Sequence, residues 1–132
     1  MANVLIPVQA ETVSIRVTDI DTSRGGNILV LVYDGDGFPK DHSKANYKAL
    51  KVAATPTLNF NFSVDFEEYA VKVLHDEDET GEVTKNWTGF VPAEGLGFSN
   101  GARLSLKGPH SFRRAKLPVS ANELSIKIKY PR

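Results

Sequence analysis

Apolar and polar residues alternate with a period of two along most of this chain. Near its start, Val13, Ile15 and Val17 fall on one side and Ser14, Arg16 and Thr18 on the other. Leu58, Phe60, Phe62 and Val64 alternate in the same way with Asn59, Asn61 and Ser63. Tyr69, Val71 and Val73 share a face, as do Leu104 and Leu106. Leu124, Ile126, Ile128 and Tyr130 share another, with Ser125, Lys127 and Lys129 turned away. Successive side chains of an extended chain point to opposite sides, so this spacing predicts strands with one face buried. The run NILVLVYD, residues 27–34, is almost wholly apolar, as a central strand covered on both faces requires.

Turn-forming residues separate these runs: Arg24-Gly25-Gly26-Asn27, Gly35-Asp36-Gly37, Thr55-Pro56, Gly81, Gly95, Gly108-Pro109 and Ser120-Ala121-Asn122. About seven short strands so punctuated predict an all-β fold, an antiparallel β-sandwich of immunoglobulin-like or transthyretin-like type. The early VLIPV stretch would add an edge strand, since Pro7 suits an edge better than a centre. One segment breaks the alternation. PKDHSKANYKALK, residues 39–51, predicts a turn or two of helix, with Asp41 or Ser43 as N-cap and Ala45, Ala49 and Leu50 on one side. The span 76–102 has no clear period, and a long irregular segment in a small domain is often functional.

Composition narrows the class. A chain of 132 residues is one domain by default, large enough to bury a core without staples. It is 41% hydrophobic and 24% charged with zero formal net charge, so nothing in its overall balance favours nucleic acid or an anionic membrane. The charge is unevenly placed: residues 65–82 hold eight acids and one lysine, residues 103–132 eight bases and one glutamate. Such blocks usually form solvated faces, and strands from the two blocks are expected to pair and screen each other. There is no cysteine, which excludes disulfide scaffolds, zinc ribbons and cysteine nucleophiles. No run approaches the ~18 apolar residues of a membrane span, so membrane insertion is not expected. The opening MANVLIPVQAET does not read as a signal peptide, because VLIPV is short and no basic residue precedes it.

Four stretches carry a resemblance to a known family. They are VYDGDGFPKD (residues 32–41), EEYAVKVLHDED (67–78), PAEGLGFSN (92–100) and GPHSFRRAKL (108–117). In order and spacing they resemble the bacterial family catalogued as domain of unknown function 2141, over most of the chain, residues 13–128. The resemblance implies a small β-sandwich. It also implies an exported, periplasmic or secreted product, since such proteins are typically made with a signal peptide. It implies no activity. This chain departs from the pattern after His75-Asp76-Glu77, where Asp78, Glu79 and Thr80 precede Gly81, and Thr84 or Lys85 stands where the family has an aspartate.

HDEDETG, residues 75–81, is the first candidate for chemistry. Calcium takes six to eight oxygens, and alternate positions of a tight turn can aim several at one centre. Asp76, Asp78, Thr80 and Glu82 could supply them, so calcium is the one cofactor the sequence allows for. Trp87 stands where an EF-hand loop would need its bidentate acid, so the loop is not of that type. A solvated turn accounts for the same residues. His75 follows the parity of Tyr69, Val71 and Val73, so it is expected at the core edge, anchoring the long segment and bonding a carboxylate such as Glu94 or Asp76. Phe98 is expected to plug the core, and Ser99 and Asn100 to cap backbone groups. Trp87, Phe90 and Phe98 could instead offer an aromatic rim to a sugar or a peptide. Arg113, Arg114 and Lys116 form a basic cluster that a solvated strand end explains. Tyr69 resembles the tyrosine that enters a late sandwich strand and bonds back to the backbone.

The reading that follows is a non-catalytic binding or accessory module of the cell envelope, with His75, Glu94, Asn100 and Trp87 as ligand-contacting residues. A calcium-stabilised adhesion-type module is the alternative. A hydrolase using His75 and Glu94 is the third reading. Its mark would be a cleft in which those two side chains converge.

Overall fold

The computed structural model of the protein describes residues 11–39, 41–76, 95–101 and 109–130. These residues form eight strands in two sheets, with one short helix and three 3₁₀ turns. The fold is a β-sandwich. The smaller sheet has β1 (Glu11–Thr18) at its centre, flanked by β4 (Leu58–Val64) and β8 (Glu123–Lys127). The larger sheet runs β3 (Tyr47–Val52), β2 (Asn27–Tyr33), β5 (Glu68–Asp76), β6 (Leu96–Phe98), and β7 (Leu117–Pro118) also pairs with β5.

The alternation in the sequence becomes the core directly. Val13, Ile15 and Val17 of β1, Phe60, Phe62 and Val64 of β4, and Ile126 with Ile128 just beyond β8 meet Ile28, Val30, Val32, Tyr69, Val71 and Val73 across the sandwich. Burying one such branched or aromatic side chain stabilises the fold by roughly 1.5–3 kcal/mol.

The far face of the larger sheet is covered too. Leu29, Leu31 and Tyr33 of β2 pack with Ala70, Leu74, Phe38, Phe98 and Ala115 in a second apolar cluster. Phe38 sits at its centre, edge-on to Tyr33, Phe98 and Phe112 with centroid separations of 5.2, 6.0 and 6.1 Å. This third layer is why NILVLVYD is apolar on both sides, as its composition required, and Phe98 belongs to it.

Two expectations are corrected. Residues 39–51 do not form a helix. Asp41 does cap a turn, accepting the Ser43 N–H at 3.0 Å, but only the 3₁₀ turn His42–Lys44 follows. Tyr47 to Val52 then pairs antiparallel with β2 in an unbroken register from Val32 to Asn27. Tyr47 and Ala49 pack on the core while Lys48 and Leu50 face out, so the strand period prevails over the helical propensity of Lys, Ala and Leu. The helix lies instead at α1, Pro109–Ala115. Proline suits a helix's first turn, where its missing N–H costs nothing, and Phe112 and Ala115 bring one side of α1 onto the sheet. Arg113 and Arg114 are therefore exposed on the last turn of a helix rather than at a strand end. The VLIPV stretch and residues 102–107, both read as strands, lie outside the described residues.

Pairing is antiparallel with one exception. β8 runs parallel to β1, from Ser14↔Glu123 to Thr18↔Lys127. It then leaves the smaller sheet and bridges to the larger one: Leu96 and Lys129 exchange both backbone hydrogen bonds, at 2.9 and 2.8 Å. This edge of the sandwich is closed by main chain. The approach is close enough to need glycine. A Cβ on Gly95 would come within 2.6 Å of Ile128 and Tyr130, and one on Gly97 within 2.7 Å of Ile126 and 2.8 Å of the Lys127 carbonyl. Space, rather than an unusual backbone angle, fixes both positions.

Acidic and basic blocks meet where β5 pairs β7. Glu68 and Lys116 form an ion pair at 3.1 Å. At that exposure it is worth at most about 1 kcal/mol.

Candidate functional site

The larger sheet ends where β2 begins, β5 finishes and β6 begins. His75 stands there on the inner face of β5, fully buried. Its backbone N–H donates to the Gly95 carbonyl at 2.9 Å. Its Nε2 lies 2.6 Å from the Gly25 carbonyl oxygen, which can only accept, so Nε2 carries the proton. Nδ1 then accepts from the Tyr130 hydroxyl at 2.7 Å. The same hydroxyl accepts the Asp21 backbone N–H at 2.8 Å. Arg24 stacks over the Tyr130 ring at 4.5 Å and bonds the Asp21 carboxylate at 3.2 Å. Asp21 caps its own 3₁₀ turn, and the Ser23 hydroxyl bonded to its carboxylate holds it below the usual carboxylate range.

His75 is thus anchored at the core edge, as its parity implied. Its ring bonds a carbonyl and a phenol. The expected carboxylate partners stand differently. Asp76 points to the opposite face of β5, buried, at the register position of Asn27. Glu94 lies outside the described residues, as do Trp87, Asp78, Thr80 and Glu82. Among the described residues no three His, Asp or Glu side chains converge as metal ligands would.

Asn100 is set apart from His75. β6 runs antiparallel to β5, so Lys72 opposes Phe98 and the chain moves away from His75. Ser99 bonds Val71, four residues before His75, which separates them by on the order of 13 Å along the strand. Both residues cap backbone groups, as read from the sequence. β6 pairs with residues 72–74 of β5 and β7 with residues 68–69, leaving a gap between them. The Ser99 hydroxyl fills it, accepting the Val71 N–H at 2.9 Å and donating to the Ala115 carbonyl at 2.6 Å. Asn100, with a left-handed φ of 57°, donates its amide to the Arg114 carbonyl at 3.2 Å.

A second polar group went unnoticed in the sequence. Lys72 has outward parity in EYAVKVLH, which reads as solvent-facing. The segment around Phe38 covers it, leaving it 3% exposed. Its ammonium donates to the Pro39 carbonyl at 2.8 Å and lies 2.9 Å from His42 Nε2. A lysine ammonium only donates, so this nitrogen of His42 accepts. The apolar outward residues Leu29 and Leu31 of β2 and Ala70 and Leu74 of β5 signalled that this face has a cover.

The family model described as "Uncharacterized protein conserved in bacteria (DUF2141)" matches residues 15–127. The chain therefore belongs to that bacterial family, in agreement with the resemblance in its motifs. A search of curated proteins and one of solved structures gave no match.

Proposed function

We propose that this member of the DUF2141 family is a non-catalytic binding or accessory module of the bacterial cell envelope, exported to the periplasm or beyond. The observation that supports it is the engagement of His75. A general base needs a nitrogen within reach of the proton it removes. Here Nε2 donates to Gly25, Nδ1 accepts from Tyr130, and the ring has no exposed surface. Such a residue ties the start of β2, the end of β5 and the segment after β8 together. Binding residues are often found on connections held by a rigid scaffold. The connection between Asp76 and Gly95 is the proposed contact surface, with Trp87 and Glu94 meeting a sugar or a peptide. Export rests on the family resemblance.

The test compares hydrolysis of p-nitrophenyl acetate and p-nitrophenyl phosphate by the wild-type protein and by His75→Gln. Equal, background rates are expected. Turnover that depends on His75 would replace the proposal with the hydrolase reading. Thermal unfolding in calcium and then in excess chelator addresses the adhesion-type reading, and coincident curves are expected. A calcium-dependent rise, lost in an Asp76→Ala, Asp78→Ala double variant, would establish a metal loop; saturation at a hundred times the dissociation constant adds about 2.7 kcal/mol.

A further inference from the structure

The outer face of the smaller sheet presents two rows of in-register side chains. Asn61, Ser14 and Glu123 form one row, and Asn59, Arg16 and Ser125 the next. All of these but Asn61 line an open groove of about 400 Å³ along the seam between β1 and β8. That lies within the range of roughly 300–1,000 Å³ typical of small-molecule clefts. We propose that this groove binds a neutral oligosaccharide.

Three observations point to that chemistry. Three of the five polar lining side chains, Ser14, Asn59 and Ser125, carry a short amide or hydroxyl. Asparagine and serine both donate and accept, matching the vicinal hydroxyls of a sugar, and they lose less rotamer entropy on ordering than lysine or glutamate would. The two charged groups, Arg16 and Glu123, are of opposite sign and cancel, which favours an uncharged ligand over an acidic glycan. Ser14 already donates to Asn61 Oδ1 at 2.8 Å, but among the described residues no hydrogen bond or ion pair engages the side chains of Arg16, Asn59, Glu123 or Ser125, so those four remain available.

A peptide suits this face less well. Extended peptides are held chiefly by backbone hydrogen bonds to a sheet edge. β1 has a strand on both sides, so it offers no edge here. The groove also lacks an aromatic platform, so hydrogen bonds alone set the affinity, and a dissociation constant of about 1 mM is expected, equivalent to roughly 4 kcal/mol. The groove is lined by described residues of β1, β4 and β8 alone, so shifts at those residues distinguish this proposal from one at the connection between Asp76 and Gly95.

Backbone amide NMR of the whole protein, titrated with cellotriose, maltotriose and mannotriose, tests the inference. Trigalacturonate and a neutral tripeptide serve as comparison probes. Saturable shifts at residues 14–16, 59–61 and 123–125 with at least one neutral trisaccharide are expected, and trigalacturonate should bind more weakly. An Arg16→Ala, Asn59→Ala variant should keep the wild-type melting curve and lose about tenfold in affinity, or about 1.4 kcal/mol. No saturable shift with any neutral sugar would overturn the proposal. Shifts confined to residues outside the groove, or preferential binding of the tripeptide or trigalacturonate, would do the same.

Discussion

Tyr130 shows how one hydroxyl can organise several segments at once. It donates to His75 and accepts from the backbone of Asp21. Tyr130→Phe keeps the ring and its stacking with Arg24 but leaves His75 Nδ1 and the Asp21 N–H without that partner. A buried unsatisfied group costs about 1–3 kcal/mol, so urea unfolding should show a loss of that order. Ser99→Ala should cost a similar amount, because the Val71 N–H and the Ala115 carbonyl both depend on that hydroxyl. Tyr69 predicts the alkaline limit. Its hydroxyl donates to the Ala121 carbonyl, and burial pushes its ionisation up to about 12. Folding favours the neutral phenol, so its contribution is intact below the unfolded value near 10 and fades as pH rises towards 12. Tyr69→Phe should be less stable at neutral pH and should show a shallower loss between pH 10 and 12, read by denaturant titration at each pH. The burial of His75 was legible from strand parity, and the anchoring of Tyr69 from its place at the entry to a late sandwich strand. Their partners were not: Tyr130 lies 55 residues beyond His75 and Ala121 lies 52 beyond Tyr69, distances at which a single sequence carries no pairing information.

At the scale of elements, β6 and the end of β8 approach so closely that glycine acts as a spacer. Gly97→Ala would push a methyl into Ile126 and into the Lys127 carbonyl, and a backbone atom cannot rotate aside. Such overpacking should cost about 1–3 kcal/mol in chemical denaturation. Gly25→Ala has open space around it but a φ of 70° with ψ of −157°, a combination open almost only to glycine, so its cost should be backbone strain alone, about 1–3 kcal/mol. Strands with clean alternation were readable from the chain: β1, β4, β5 and β8 lie where their parity put them. The segment 39–51 was misread because its alanines and lysines favour a helix, while its pairing with β2 is a contact that local propensity does not report. α1 escaped notice for the opposite reason. Seven residues are too few for a 3.6-residue period to emerge, and Phe112 with Ala115 makes one apolar pair.

On the scale of the whole molecule, the sandwich is joined across one edge by the Leu96–Lys129 bridge and carries a third layer over the larger sheet. Core burial and sheet count could be read from the sequence, while the parallel placement of β8 could not, because parity is the same for either strand direction. That placement has a consequence for how the protein is made. Ser14 pairs with Glu123 and Asp21 bonds Tyr130, contacts that each span 109 residues. Loop closure over such lengths makes folding slow and late-committing. A chain emerging from the ribosome, N-terminus first, holds β1 early but cannot complete its sheet until β8, 109 residues later, has followed it out. Until then β1 has an unpaired edge and His75 lacks Tyr130. The nascent chain is thus kept from locking prematurely.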